Sequence, residues 1–511
     1  MRWVLNIASN YLRFLVGMVV VFLLTPFIVS RIGVDLFGLW SLIFAFVGLF
    51  GLLDLGFATA AVKFVAELTA RRDDHGRNQV LATLFVVYTS LGLLCLLVVA
   101  ALAGTIPDWF ALTAAQRDAF AAALWLLGAA VALGLPLSLF KAILIGSGRM
   151  ALVNLVELAM TIANALLIVV LLEAGYGLLG LAGSTAATML LAPLLLIPFA
   201  YRLTPSLSLS PVHFSGRRVR ELGGYSFYFF IANVAVLIIL RIDPVVIKAF
   251  LPLSAVAVYA IAAKVAEYTY LLNKQFSNAL MPLVSQSAGA GDRERVTSVL
   301  LDGTRFLMAV ATPFVALLFF HVDAIIRLWM GDAFADAAPL LRILLFAVLC
   351  TSIQLNAANV LGMTGHHRFV AFAMGGSALV NLVLSILLIH HLGLTGVAVA
   401  TLAAALFAET LIIVPVACAR NGVGRWRFVS SALLPAVPAL IPSLGAAYLL
   451  DQLWPAESFA RILLQGGASA LIYFGAFALT GTAPRERRLV ADRLRRLRRP
   501  RPADPAAEPP R

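Results

Sequence analysis

The chain has 511 residues, of which 62% are hydrophobic and only 12% charged, with a formal net charge of +13. A soluble domain carries about 25% charge, so this balance excludes a water-soluble globular protein, and no nucleic-acid partner is expected. The three cysteines, Cys95, Cys350 and Cys418, lie in or beside apolar runs without disulfide-framework or metal-ligand spacing, and are read as small core residues.

Apolar runs of about twenty residues recur from end to end, each long enough to cross a hydrocarbon core of about 30 Å as a helix. Lipid offers no partner for backbone groups, which favours helices throughout. The first run, 9–30, lacks a small-residue cleavage pattern before Arg31 and is expected to be an uncleaved span. Further spans are expected at 37–66, 79–104, 118–145, 150–172, 177–200, 225–249, 255–286, 299–320, 337–361, 368–390, 394–418, 428–450 and 459–480. The fold class is therefore an all-α membrane protein of about fourteen transmembrane helices.

Arginine placement orients the spans. Arg71, Arg72 and Arg77; Arg202, Arg217, Arg218 and Arg220; Arg293 and Arg295; and Arg420, Arg425 and Arg427 all fall in even-numbered loops. By the positive-inside rule these loops and both termini are cytoplasmic. The opposite loops hold only Arg31, Arg117 and Arg327, together with Trp109, Trp329 and Trp454, which suit an interfacial belt. The tail from Arg485 to Arg501 is arginine-dense, either a helix on anionic lipid or a topology anchor.

The segment from Ile145, IGSGRMALVNLVELAMTIANALLIVVLL, is similar to that from Leu361, LGMTGHHRFVAFAMGGSALVNLVLSILLI, at an offset of about 216 residues. Asn164 falls on Asn381, and Gly177 and Gly180 fall on Gly393 and Gly396. A weaker echo pairs Phe37–Trp40 with Val256–Tyr259. Two six-helix lobes in parallel repeat plus two C-terminal helices follow, an arrangement suited to a carrier that rocks two lobes about a midplane site. The expected division is 1–201 for the first lobe, 202–222 for a cytoplasmic linker, 223–419 for the second lobe, 420–482 for the last two spans and 483–511 for a basic tail.

Residues 32–67, IGVDLFGLWSLIFAFVGLFGLLDLGFATAAVKFVAE, carry Gly33, Phe37, Gly38, Leu39 and Trp40, then Asp54, Leu55 and Gly56. This pattern, with the Gly146–Arg149 turn, the length and the short loops, resembles the polysaccharide transporter family of the multidrug/oligosaccharidyl-lipid/polysaccharide exporter superfamily. The resemblance implies two six-helix lobes around a central cavity lined by spans 1, 2, 7 and 8. It also implies a flippase for undecaprenyl-pyrophosphate-linked units of O-antigen, capsule or exopolysaccharide in a bacterial inner membrane. Lipid-linked oligosaccharide and membrane lipids are then the partners, with polysaccharide polymerase and chain-length machinery as candidate protein partners.

Ionisable groups at span centres are costly and are functional candidates by default. The chain has five lysines, Lys63, Lys141, Lys248, Lys264 and Lys274, all within or at the ends of expected spans. Lys63, Lys141 and Lys248 are expected to snorkel from span ends. Lys264, Glu267, Leu271 and Lys274 share one face of span 8 at helical spacing, so Lys264 and Lys274 are the leading substrate-binding residues, although Lys264 and Glu267 could instead pair. Arg241 either faces a cavity or pairs with Asp243, whose neighbour Pro244 favours a helix break. Arg13 joins the substrate-binding set because span 1 lines the cavity in the family resembled. Glu267 and Asp54 are candidate coupling or cavity acids, Asp54 being equally suited to helix packing. Glu157 and Glu409 are further intramembrane acids of open orientation.

No catalytic constellation, Walker A pattern or large external loop stands out. His366-His367 and His390-His391 are expected at opposite membrane faces, which argues against a shared metal site. No cofactor, no metal and no enzymatic activity are expected. A multidrug cation antiporter of the same fold, and a polysaccharide polymerase or ligase, are the alternatives.

Overall fold

The computed structural model describes residues 2–482. The basic tail expected at 483–511 lies outside them, as does the side chain of Glu409. Helix α1 spans Arg2–Ile32, α2 Val34–Phe50, α3 Phe57–Ala70, α4 Asp74–Trp109, α5 Ala114–Gly146, α6 Met150–Glu173 and α7 Gly177–Leu203. Then come α8 Gly216–Arg241, α9 Asp243–Phe250, α10 Leu253–Gly289, α11 Arg293–Phe320, α12 Val322–Met330, α13 Ala337–Leu361, α14 His367–Leu392 and α15 Leu394–Ala404. The last helices among the described residues are α16 Val414–Arg420, α17 Arg425–Phe428, α18 Leu440–Leu453 and α19 Phe459–Thr480.

Twelve segments among the described residues are long and apolar enough to cross a membrane, so this is an all-α, multi-pass membrane protein. Two places account for the difference from the expected count of about fourteen. The segment Ala337–Leu392 has 56 residues, about 84 Å at 1.5 Å per residue, and it turns at Gly365 (φ 89°) to give α13 and α14. Helix α8, which contains most of the expected span 225–249, is not among the twelve.

Local chemistry explains where the helices break. The expected span 37–66 is two helices, because a tight turn at Gly51–Asp54 is followed by Leu55 (φ 51°) and Gly56 (φ 78°). The Asp54 carboxylate accepts hydrogen bonds from the Ala58 N–H (3.1 Å) and the Tyr88 hydroxyl (2.6 Å), so it caps α3 and ties the break to α4. At Pro244 the chain divides into α8 and α9, since proline has no N–H to continue the ladder. The expected span 428–450 is irregular before Leu440, where Pro435 and Pro438 interrupt it. The repeat is visible in the backbone: Gly148 and Gly365 both have positive φ in matching turns, as do Gly177 (49°) and Gly393 (56°) at matching helix starts.

Helices α1–α7 pack largely on one another, with α5 between α4 and α7, while α10, α11, α13, α14 and α15 form the main contacts of the second half. Polar pairs fix the rotation of α10 on α13: Asn273 donates to Ser352 (2.8 Å) and Asn359 to Ser277 (2.9 Å). The halves meet where α2 lies on α10. There Gly38 is essential to the approach, because a Cβ would stand 2.0 Å from the Leu253 carbonyl oxygen. Trp329, expected in an interfacial belt, is instead buried on α12. It stacks on Phe22 at 4.9 Å and donates to the Phe22 carbonyl at 2.6 Å, which uses the indole N–H inside the protein. Trp109 is 73% exposed.

Candidate functional site

A cavity of about 370 Å³ lies between the two halves, walled by α1, α2, α6 and α7 on one side and by α8, α9, α10 and α13 on the other. Its charged lining comes from the second half alone: Arg241 at the end of α8, Asp243 at the start of α9, and Lys264 and Glu267 on α10. Ser41, Thr161, Asn164 and Thr185 line it from the first half, with Trp40 and Phe44. On α2, uncharged Ala45 lines the cavity, whereas α10 brings Lys264 and Glu267 to it.

Each charged side chain has a local reason for its place. The break before Pro244 ends α8 at Arg241, and its stem passes over Gly48 of α2, where a Cβ would lie 2.9 Å from the arginine Cδ. The guanidinium pairs with Glu267 at 3.1 Å rather than with Asp243. Both partners are about a quarter exposed, so the pair borders the cavity instead of being sealed. Asp243 is buried and accepts the Tyr259 hydroxyl at 2.5 Å. Lys264 lies within electrostatic reach of Glu267 and Arg241. With Glu267 engaged by Arg241, Lys264 makes no hydrogen bond or ion pair of its own among the described residues. The Asn164 carbonyl oxygen also lacks a partner.

The six residues singled out by sequence divide into two groups. Lys264, Arg241 and Glu267 come together at the cavity wall. Lys274, Arg13 and Asp54 are not in its lining. Lys274, about 15 Å further along α10 by helical rise, sits over the Tyr270 ring at 5.7 Å. Arg13 pairs with Glu157 at 3.0 Å, and Asp54 caps α3. Lys141, expected to snorkel, binds the other Glu157 oxygen. Gly48, Tyr259 and Thr161 carry no intramembrane charge, the signal on which the sequence reading relied, and their place at or beside the cavity follows only from packing. His366-His367 and His390-His391 mark opposite ends of α14.

The fold is that of a multi-pass membrane protein whose two helical halves enclose a cavity. The chain belongs to the polysaccharide biosynthesis protein family, whose model matches residues 2–288; the MatE model matches residues 229–387. The family match bears out the resemblance to the polysaccharide transporter family carried by residues 32–67. A relative from Haloferax volcanii that bears the name of a low-salt glycan biosynthesis flippase is 28% identical over 37% of this chain and 40% of its own. The match therefore spans less than half of that relative's length. A relative from Shigella flexneri that bears the name of an O-antigen transporter is 20% identical over 73% of this chain and 88% of its own. The fold is similar to that of the lipid II flippase MurJ in an inward closed conformation, with TM-score 0.73, 15% identity, 93% of this chain and 98% of that one.

Proposed function

We propose that the protein is a flippase that moves an undecaprenyl-pyrophosphate-linked oligosaccharide from the cytoplasmic to the periplasmic leaflet of a bacterial inner membrane. The observation that carries this reading is Lys264, a compact cation at the cavity wall with no ion pair of its own among the described residues, Glu267 being held by Arg241. Lysine binds phosphate as a point charge. Trp40 and Phe44 offer flat apolar faces, and Ser41, Thr161, Asn164 and Thr185 offer hydroxyl and amide groups suited to a sugar.

Bare transfer of sugar hydroxyls through hydrocarbon would cost several kcal/mol for each unpaired group. A polar cavity that takes up the sugar and pyrophosphate while the prenyl chain stays in lipid removes most of that barrier. The N-terminal lobe (1–201) and C-terminal lobe (223–419), joined by the linker 202–222, then rock about the cavity, with the spans in 420–482 alongside. Arg13 and Lys274 then lie on the cytoplasmic approach, and a polysaccharide polymerase and chain-length machinery are candidate protein partners. Glu267, held by Arg241, is the cavity acid, and Asp54 holds the α2–α3 break. The chain acts as a carrier, without bond chemistry of its own.

A cation antiporter of the same fold should present free carboxylates. Here Glu267 is paired with Arg241, and Asp243 is buried and accepts the Tyr259 hydroxyl through one oxygen, the other having no hydrogen-bond partner; the unpaired Lys264 is what favours an anionic cargo. The test is translocation of lipid-linked sugar in proteoliposomes. Lys264→Ala combined with Lys274→Ala should abolish transfer while the protein still inserts; normal transfer by that variant rejects the site, and drug efflux without sugar transfer would favour the antiporter.

A further inference from the structure

A second charged cluster lies outside the cavity. Glu157 of α6 holds Arg13 of α1 at 3.0 Å through one oxygen and Lys141 of α5 through the other. Two cations share one carboxylate, which leaves one positive charge uncompensated inside membrane-spanning helices, a costly arrangement for a merely structural contact. The cluster is open rather than sealed: the Arg13 and Lys141 side chains are 38% and 44% exposed, against 20% for Glu157. The Arg13 Nε has no hydrogen-bond partner.

Its position is informative. Arg13 lies on the face of α1 that carries Val20 and Leu24, at i+7 and i+11. Glu157 lies on the face of α6 that carries Thr161 and Asn164, at i+4 and i+7. All four of those residues line the cavity. Glu157 is seven residues, about 10 Å, from the start of α6, so the cluster lies one to two turns from the cavity toward the arginine-rich loops. The Arg241–Lys264–Glu267 group has the same make-up of one arginine, one lysine and one glutamate. The two groups are built from different helices in different halves and are not repeats of each other.

We infer that Arg13 and Lys141 form an entry station for a diphosphate, in which Glu157 occupies the anion position until the ligand displaces it. The station rests on the flippase reading for the identity of its cargo, but its binding chemistry requires only the diphosphate. A ligand meets Arg13 and Lys141 first and then moves one to two turns deeper to Lys264.

The test is calorimetric titration of the purified full chain with inorganic pyrophosphate, in a Lys264→Ala background that silences the deeper site. Glu157→Gln should tighten binding by about tenfold, since it removes the competing charge. Arg13→Ala or Lys141→Ala should weaken it by about tenfold. The double variant Lys141→Met with Glu157→Gln restores the original charge and should bind with near-original affinity. A purely structural ion pair would give no gain of affinity in Glu157→Gln. Should Glu157→Gln not fold, the Arg13 and Lys141 variants decide alone. Binding unchanged by all the variants that fold overturns the station. Intact pyrophosphate behaviour with no sugar transfer in proteoliposomes supports the station and overturns the flippase reading instead.

Discussion

Asp54 shows how one intramembrane acid can serve the fold. Its carboxylate receives the Tyr88 hydroxyl and the Ala58 N–H just after Leu55 and Gly56 turn the chain. Tyr88 is fully buried, so removing the acceptor strips a buried hydroxyl of its partner at a cost of about 1–3 kcal/mol. Asp54→Ala should therefore lower the unfolding midpoint in detergent, whereas Asp54→Asn, which keeps an acceptor, should retain much of the stability. Equal midpoints for Asp54→Ala and the parent chain would show that the acid does not hold the break. The sequence marked Asp54 because it is charged and mid-span, a signal shared by packing and coupling roles. Only the neighbouring Tyr88, brought in from another helix, points to packing.

At the scale of elements, the contact of α2 with α10 is the joint between the halves. Gly38 allows it, since any side chain would drive into the Leu253 carbonyl. Gly38→Val should force α2 and α10 apart, because backbone cannot yield as a flexible side chain can. With α2 beginning at the periplasmic side, as the arginine pattern predicts, a reporter Ser41→Cys in the cavity should then react faster with a membrane-impermeant thiol reagent added from outside. Unchanged labelling would show that this contact does not close the cavity. Gly38 was visible in the sequence as part of the Phe37–Trp40 motif. Its partner was not, because a glycine selected for close approach leaves no trace of what approaches it.

For the whole molecule, the proposed function poses the question of how a polar, anionic group crosses hydrocarbon. The cavity takes its charged lining from the second half and only uncharged lining from the first, an asymmetry that suits an asymmetric amphiphile. Outward movement of an anion is assisted by an inside-negative potential, by about 2.3 kcal/mol per elementary charge per 100 mV. Imposing such a potential on proteoliposomes should speed transfer in the outward sense, and collapsing it should slow transfer. Rates indifferent to the potential would mean that the charge moves compensated, for example with a co-transported cation.

Composition and the recurring apolar runs by themselves determined the helical, membrane-spanning class, since continuous apolar stretches of about twenty residues match the length of a helix that pairs its own backbone across lipid. The Phe37–Trp40 and Asp54–Gly56 motifs determined the family, and the spacing of Lys264 and Glu267 placed both on one face of one helix. What only the tertiary structure decided is which charges meet. Arg241 took Glu267, leaving Lys264 to the cavity, and Glu157 took both Arg13 and Lys141. Helical periodicity fixes the direction of a side chain relative to its own axis, whereas pairing depends on the rotation and separation of neighbouring helices. Those are set by small residues such as Gly38 and Gly48 and by hydrogen bonds such as Asn273 to Ser352, between positions far apart in the chain.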